Sequence, residues 1–214
     1  VYGYGVNTTP FLKDYLRQDH TYKFDNVVSP ANQTRYAVPI MLSDAKVDDF
    51  LLFNKTPSLV TVLKEAGYKT YWLSNQYSAG KHDSYIATIA AEADVSKTAN
   101  FAYESVGNGE ASYDEVLLSY IDELKNVRVE KEAFFFHLLG SHFQYSKRCP
   151  AGVGLYNNPE NVVEHYDNSV YCSDIVIAEI YQRFSQYRTL FVFTSDHGEV
   201  VSNELHGHGF LRPS

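Results

Sequence analysis

The sequence contains little of what marks small secreted, membrane-spanning or nucleic-acid-binding chains. Its 214 residues include only two cysteines, one tryptophan and one methionine. Two cysteines cannot form a dense disulfide framework, and a chain of this length buries a core without one. No stretch approaches the about 20 consecutive apolar residues that a membrane-spanning helix needs. The longest apolar run, 134–139, is interrupted by His137.

Positive charge is also scarce. The chain carries 18 Lys and Arg against 26 Asp and Glu, which gives a formal net charge of −8. A nucleic-acid-binding domain needs a basic surface, so we expect no nucleic-acid partner. The apolar fraction of 44% and the charged fraction of 21% are those of a folded protein. Since domains average about 150 residues, the length favours a single domain.

The first residue and the two cysteines give information on how the chain is processed. It begins with Val1 and its only methionine is Met41, so we expect a fragment or a processed product. Cys149 and Cys172 leave two alternatives open, one disulfide in an oxidising compartment or two unrelated thiols. We favour the disulfide because Cys149 lies in a polar loop, where a free thiol is a liability.

The hydrophobic pattern alternates between helices and short strands. Helices are predicted from Thr56-Pro57 to Gly67, from a capping box at Ser112 and Glu115, and over 161–184. Strands are predicted at 24–29, 68–74, 133–139 and 189–194. Buried strands separated by helices predict an α/β fold, an α/β/α sandwich with a mostly parallel central sheet.

Polar side chains follow three of the predicted strands. These polar segments are 74–76, 140–142 and 195–197. Because ligands of parallel sheets bind beyond the carboxyl ends of the strands, we expect an active site at this edge.

Two pairs of residues near the end of the chain are candidate metal ligands. Asp196 and His197 follow a predicted strand directly, and His206 and His208 lie in a glycine-rich loop downstream. A lone Asp-His pair is more often a cap beside a core histidine, but four potential ligands so close together favour a metal site. Oxygen and nitrogen ligands suit zinc, and manganese is also compatible.

Thr34 lies where an apolar helix is predicted to begin. Its simplest interpretation is a helix N-cap. A hydroxyl at that position also lies at the positive end of the helix dipole, where a phosphoryl oxygen binds well. A bound zinc would make such a hydroxyl a nucleophile. Pro39 argues against a regular helix, so the spacing alone leaves both interpretations open.

Six short motifs follow one another along the chain. They are 2–5 with 7–12, Thr34 with 38–43, 72–76, 137–142 with Tyr145 and Arg148, 166–169, and 195–199. In this order they resemble the membrane-anchored phosphoethanolamine transferases of the alkaline phosphatase and sulfatase superfamily. The motifs cover nearly the whole chain, whereas any single one would be shared with other members of the superfamily.

The resemblance implies the catalytic and metal-binding residues. Thr34 is implied as the nucleophile and a zinc ligand, with Asp196 and His197 as further ligands of one or two zinc ions. His142 and His206 match histidines that hold the phosphoryl group or a second metal, and they would protonate the leaving group.

The resemblance also implies substrate-binding residues. These are Asn75, Gln76, Lys81 and Glu199, although the spacing to Lys81 differs from that of the family. His208 has no counterpart in the family motifs and stays a metal-ligand candidate on its position in the loop.

The implied activity is zinc-dependent transfer of phosphoethanolamine from phosphatidylethanolamine to lipopolysaccharide, at lipid A or a core sugar, through a covalent intermediate on Thr34. The implied location is the periplasmic face of the bacterial inner membrane, and we expect a monomer. Residues 1–214 would be one truncated catalytic domain, which we expect to bind zinc weakly and to be inactive on its own. A first strand with a glutamate zinc ligand, and a transmembrane anchor, would precede Val1.

Two other functions remain open. One is a sulfatase or phosphodiesterase-type hydrolase of the same superfamily. Sulfatases need a Cys/Ser-x-Pro-x-Arg motif, and Ser29-Pro30 has neither the spacing nor the arginine. The other is a binding module without catalytic activity.

Overall fold

The computed structural model describes residues 4–79, 84–102, 112–124 and 129–209. The α-helices of these residues are α1 (Pro10–Tyr15), α2 (Thr34–Met41), α3 (Leu59–Glu65), α4 (Ser84–Ala90), α5 (Val116–Leu124) and α6 (Val162–Phe184). The strands are β1 (Lys69–Ala79), β2 (Val95–Ala102), β3 (Glu132–His137), β4 (Val200–Val201) and β5 (His206–Gly207), and 3-10 helices span Phe50–Asn54 and Tyr145–Lys147. None of the described helices has both the length and the hydropathy to cross a bilayer.

The centre of the fold is a parallel sheet with the strand order β2-β1-β3. Trp72 of β1 lies opposite Ser96 of β2 and Phe135 of β3. Parallel neighbours must be joined by crossover connections, and α4 lies between β1 and β2 while α5 precedes β3. The predicted parallel α/β sheet is confirmed.

Successive residues of β1 enter two different cores because their side chains point to opposite faces of the sheet. Trp72 packs in a core with Val60 of α3 and Ile89 of α4. Leu73 packs in a second core with Leu117 of α5 and Ile180 of α6. Helices therefore cover both faces of the sheet, which gives the predicted α/β/α sandwich.

Helix α6 begins where the sequence predicts. Asn161 is its N-cap, and the side chain of Asn161 accepts hydrogen bonds from the amides of Val163 and Glu164. Near the middle of this helix, Cys172 forms a disulfide with Cys149. The favoured alternative for the two cysteines is confirmed.

Helix α3 begins later than predicted. Its N-cap is Ser58 rather than Thr56, since the Ser58 hydroxyl accepts from two amides of the first turn. The Thr56 hydroxyl instead donates back to the carbonyl of Leu52. The predicted end is confirmed, because Gly67 adopts a φ of 84° that favours glycine.

Helix α5 also begins later than predicted, at Val116 rather than Ser112. The backbone carbonyl of Ser112 accepts from the Asn75 side chain, and its amide donates to Asn100. The capping box between Ser112 and Glu115 is therefore wrong, because long-range contacts to β1 and β2 hold Ser112 outside the helix.

The predicted strands at 24–29 and 189–194 do not form in the described part of the chain. The second of these segments leaves Leu190 and Val192 exposed by 90% and 74%. A strand is stabilised by pairing with a neighbour, and neither segment is paired with the sheet. These two predictions are wrong for this structure, although the local sequences have strand character.

Candidate active site

Thr34 and His197 meet although 163 residues separate them in the sequence. Thr34 is the first residue of α2 and Gln33 occupies the N-cap position, so the interpretation of Thr34 as the cap is wrong. The Thr34 Oγ1 lies 3.1 Å from the Nε2 of His197. The Nδ1 of His197 lies 2.9 Å from the carbonyl of Gly198, which only accepts, so Nδ1 carries the proton and Nε2 is left as an acceptor or ligand.

Asp196 lies beside this pair. One of its carboxylate oxygens, Oδ2, is 3.5 Å from the Nε2 of His197. The other accepts from the backbone amide of His197 at 3.0 Å. The hydroxyl of Ser29 donates to the carbonyl of Asp196, which ties the segment before α2 to the loop that carries the carboxylate.

The donor atoms of Thr34, Asp196 and His197 fit a zinc ion. Oxygen and nitrogen atoms bound about 2.0 Å from one tetrahedral ion lie roughly 3.3 Å from each other. The two separations above, 3.1 Å and 3.5 Å, agree with this spacing. Ligand atoms of His197, Glu199 and His208 also lie within 4.8 Å of one another. Thr34, Asp196 and His197 could therefore hold an ion, and the group of His197, Glu199 and the predicted ligand His208 could also hold one.

Glu199 binds His208 and Tyr145 through different oxygens. Its Oε2 lies 2.9 Å from the Nδ1 of His208, and its Oε1 accepts from the Tyr145 hydroxyl at 2.5 Å. The hydrogen bond to Glu199 raises the pKa of His208. Burial alone would raise the pKa of Glu199, but the hydrogen bonds from His208 and Tyr145 outweigh it and lower that pKa. The pairing thus favours the charged forms of both partners.

Two further histidines lie on either side of this network. The rings of His142 and His208 are 5.4 Å apart, and those of His206 and Tyr145 are 6.1 Å apart. Burial lowers the pKa of His142 to about 4, and the positive charge of Arg148 acts in the same direction. His142 is therefore neutral at pH 7 and can accept a proton.

A short hairpin places His206 and His208. Strands β4 and β5 pair antiparallel, with Val201 opposite His206. Gly209, just after the hairpin, has a φ of 79°, and a Cβ at this position would lie 2.6 Å from the Gln33 side chain. The glycine allows the loop to pass close to the start of α2, which brings His208 to within 4.4 Å of the His197 ring.

The residues predicted from the first strand edge donate hydrogen bonds to partners outside this cluster. Asn75 is fully buried, and its amide group donates to the Ser112 carbonyl and to Asp114. The side-chain amide of Gln76 donates to the carbonyl of Leu138. Roles for both residues in substrate binding stay predictions. Lys81 lies outside the described residues.

Asp114 is a residue that sequence reasoning missed. Its carboxylate accepts from the backbone amides of Leu139 and Gly140, each at 2.8 Å, as well as from Asn75. It thereby fixes the turn after β3 that leads to His142. Burial raises the pKa of Asp114, although these hydrogen bonds oppose the effect. Nothing local marks Asp114, since its partners lie 25 or more residues away.

Seven of the predicted site residues thus form one cluster. The cluster contains Thr34, His142, Asp196, His197, Glu199, His206 and His208. Thr34 and the histidines come from three separate parts of the sequence, and the ends of α2, β3 and the segment after α6 bring them together. Their catalytic and binding roles stay predictions.

Comparison with known proteins agrees with the motif resemblance. Residues 1–213 match the family model described as sulfatase. The phosphoethanolamine transferase EptC of Escherichia coli (strain K12) is 28% identical over 216 residues, which cover 94% of this chain and 37% of that protein. The Kdo(2)-lipid A phosphoethanolamine 7''-transferase of Salmonella typhimurium is 26% identical over 177 residues, or 74% of this chain and 29% of that protein. The chain thus spans well under half the length of these relatives.

Solved structures show the same fold. The C-terminal periplasmic domain of EptC from Escherichia coli, in complex with Zn, superposes with a TM-score of 0.83 at 27% identity and covers 97% of this chain and 63% of that one. The lipoteichoic acid synthase LtaP from Listeria monocytogenes superposes with a TM-score of 0.57 at 17% identity, over 84% of this chain and 46% of that one. The α/β/α sandwich, the motif series and the match along the whole length lead to one conclusion: the chain belongs to the sulfatase family.

Proposed function

We propose that this chain is the catalytic part of a phosphoethanolamine transferase that works on the periplasmic side of a bacterial inner membrane. Phosphatidylethanolamine would be the donor and lipopolysaccharide the acceptor. The observation that carries the proposal is the 3.1 Å contact between Thr34 Oγ1 and His197 Nε2, at the end of a sulfatase-type sheet. The names of the relatives, which are phosphoethanolamine transferases, support the choice of transferred group.

In the first step, the Thr34 oxygen attacks the phosphorus of the donor. A bond forms between Oγ1 and phosphorus, the bond to the diacylglycerol oxygen breaks, and the Thr34 proton passes to a nearby base. His142 is neutral at pH 7 and His208 pairs with Glu199, so the cluster contains both a proton acceptor and a proton donor. The diacylglycerol oxygen needs one proton as it leaves, and a histidine of this cluster would supply it.

In the second step, a hydroxyl or phosphate of the acceptor attacks the same phosphorus. A bond forms between the acceptor oxygen and phosphorus and the bond to Thr34 breaks. The proton of an attacking hydroxyl passes to a histidine of the cluster and from there to the Thr34 oxygen, whereas an attacking phosphate oxygen has no proton to lose and Thr34 takes its proton from the cluster. A covalent intermediate divides one difficult transfer into two easier ones.

The donor atoms of Thr34, Asp196 and His197 would hold a zinc ion. When bound, zinc supplies a Lewis acid that favours the deprotonated hydroxyl and neutralises charge on the phosphoryl oxygens. The presence of Zn in the related EptC domain agrees with this donor set. Either one ion or two, or manganese in place of zinc, is compatible with the cluster, and metal analysis of the purified protein distinguishes these cases.

The covalent intermediate gives the sharpest test. The full-length protein with zinc, and its Thr34→Ala and Thr34→Ser variants, would be incubated with phosphatidylethanolamine, digested and examined by mass spectrometry. We expect phosphoethanolamine on Thr34 in the wild type, none in Thr34→Ala, and slower labelling in Thr34→Ser because that hydroxyl is kept. Labelling of another residue, or full turnover by Thr34→Ala, would contradict the proposal.

A hydrolase is the second candidate, because the matching family model is described as sulfatase. In that case water would replace the saccharide acceptor in the second step. Release of free phosphoethanolamine at the same rate with and without lipopolysaccharide would favour the hydrolase. A rate that rises with lipopolysaccharide would favour the transferase. A chain that binds zinc but is never labelled would be a binding module.

A further inference from the structure

A cleft of about 400 Å³ opens beside His206, next to the cluster described above. Its volume lies within the range of about 300–1,000 Å³ that small-molecule sites occupy. It is lined by residues 143–146 and 160–162, together with His165 and His206. One wall therefore belongs to the loop after β3, and the other belongs to the start of α6.

Aromatic rings form one side of the cleft. Phe143 is 48% exposed, and its ring lies 6.1 Å from that of His206 with only 14° between the two planes. Tyr145 is buried behind them and reaches the Glu199 carboxylate. An exposed aromatic face next to reactive groups offers a flat apolar surface of the kind that packs against the C–H face of a sugar ring.

Gln144, between the two aromatic residues, has a strained backbone. It adopts φ 67° and ψ 50°, the left-handed region that residues other than glycine rarely occupy. Its carbonyl accepts from the amide of Lys147 at 2.8 Å, which holds the 3-10 turn in this conformation. Strain of this kind costs energy and is concentrated at ligand-binding segments.

The charges at the cleft favour a neutral ligand over an anion. The residues that line it include Glu160 but no lysine or arginine. The start of α6 borders the cleft, but the amides of Val163 and Glu164 already donate hydrogen bonds to the Asn161 side chain. The amide of Glu160 likewise donates to the Glu164 carboxylate. Among the residues that line the cleft, a phosphate would therefore find no lysine or arginine, and these three amides would not be available to it.

We propose that this cleft is the acceptor subsite, and that it binds a neutral, hydroxyl-bearing sugar ring of the acceptor against Phe143. The polar side chains of Gln144, Glu160 and His165 supply hydrogen-bond partners for the hydroxyls. The inference rests on the proposed function, because it assigns a saccharide to the second step. It adds that the site recognises the sugar itself and not its phosphate groups.

Binding can be measured without any turnover. The purified chain with zinc would be titrated with an unphosphorylated, N-acetylated (and therefore neutral) glucosamine disaccharide, with inorganic phosphate and with ethanolamine, and NMR signals of Phe143 and Gln144 followed. We expect the disaccharide alone to shift these signals. Phe143→Ala should weaken disaccharide binding roughly 3- to 10-fold, the size of one aromatic contact, while Phe143→Tyr keeps it. Tyr187→Ala, at another exposed aromatic, is the matched control.

A second measurement separates this inference from the proposed function. Phe143→Ala should still label Thr34 with phosphoethanolamine at the wild-type rate, while the KM for the saccharide acceptor rises. A wild-type protein that binds the disaccharide but never labels Thr34 would contradict the proposed transferase activity, while it would still support the sugar site. Signals that do not move with the disaccharide, or that move with phosphate or ethanolamine instead, would overturn the sugar site.

Discussion

Single carboxylates hold distant parts of this chain together. Asp174 of α6 is buried and accepts from the backbone amides of Phe11 and Leu12, which fixes the start of α1. Asp167, about two turns earlier in α6, accepts from the Tyr4 hydroxyl at 3.1 Å. Burial raises the pKa of both carboxyl groups. At the scale of the residue, much of the order near the chain start therefore depends on two acids of one helix.

The lowered pKa of Asp94 leads us to expect that the stability of the fold depends on pH. Asp94 accepts from the Thr70 amide at 2.9 Å and lies 3.0 Å from the Lys64 ammonium, and these contacts lower its pKa from 3.8 to about 2. A folded-state pKa below the unfolded value gives stability that is present above about pH 3.8 and is lost as the pH falls through about 2. Asp94→Asn should therefore be less stable than the wild type at pH 7, and its stability should change less between pH 4 and pH 2.

Urea unfolding at several pH values checks the prediction. Asp25→Asn is a suitable control, because Asp25 pairs with Lys23 at the surface and exposed pairs contribute little. Equal pH profiles for the wild type and Asp94→Asn would contradict the assignment.

Gly154 is a position where a methyl group has no room. A Cβ there would lie 2.3 Å from the side chain of Asn168, which itself bonds both the amide and the carbonyl of Tyr156. Gly154→Ala should lower the free energy of unfolding by about 1–3 kcal/mol, the usual cost of overpacking. Gly5→Ala, where nothing lies within 4 Å of the added Cβ, should have little effect in the same thermal unfolding experiment.

At the scale of the element, the local sequence pattern predicted those helices and strands whose formation depends on neighbouring residues. The strands β1 and β3 and helix α6 were predictable from apolar runs and from the Asn161 cap. The start of α5 was missed because Ser112 depends on partners far along the chain. The start of α3 was misplaced by two residues, because the nearby Ser58 caps the helix while Thr56 bonds to Leu52. The segment 189–194 has the composition of a strand, but pairing is a non-local property that composition does not contain.

The same division holds for the candidate site. Asp196 and His197 were predicted as candidates because neighbouring residues in one loop form a recognisable pattern, whereas Glu199 was predicted only from the family resemblance. The contact of Thr34 with His197 followed only from family resemblance, since 163 residues separate them. Asp114 and the hydrogen bond of Tyr145 to Glu199 could not be found, because each depends on tertiary contacts.

Asp114 stabilises the turn after β3. In Asp114→Asn, an amide NH₂ group would replace one of the oxygens that accept from Leu139, Gly140 and Asn75. A buried NH₂ group that faces other N–H donors and has no acceptor costs about 1–3 kcal/mol. We therefore expect the free energy of unfolding to fall by that amount. Hydrogen exchange at the amides of Leu139 and Gly140 should accelerate more than exchange in α6. Asp122→Asn, at a surface ion pair with Arg183, is the control and should leave those amides unchanged.

At the scale of the whole molecule, one covalent link and one charge imbalance stand out. The Cys149–Cys172 disulfide joins the loop that follows the 3-10 helix to the middle of α6. It thereby attaches the wall of the proposed sugar cleft to the longest helix of the described chain. The net charge of −8 would oppose a general attraction to the proposed anionic acceptor, so the proposed recognition would have to come from local groups.

Removal of the disulfide should reduce overall stability. Its cysteines are 23 residues apart, and closing a loop of that size restricts the unfolded chain by about 3 kcal/mol in the chain-entropy description. A Cys149→Ser, Cys172→Ser double variant should unfold at lower urea concentration by that free energy. Addition of a reducing agent should shift the wild type toward the double variant and leave the double variant unchanged. An unchanged wild-type midpoint after verified reduction would contradict the prediction.

The exposed strand-like segment 189–194 has a consequence for how the purified chain behaves in concentrated solution. Leu190, Val192 and Phe193 present apolar side chains on a backbone that does not join the sheet, which is the arrangement that templates intermolecular β-pairing. We expect concentration-dependent aggregation detectable by light scattering and by thioflavin fluorescence. Val192→Lys, a charge in the middle of the segment, should suppress it, whereas Val62→Lys on the exposed face of α3 should not.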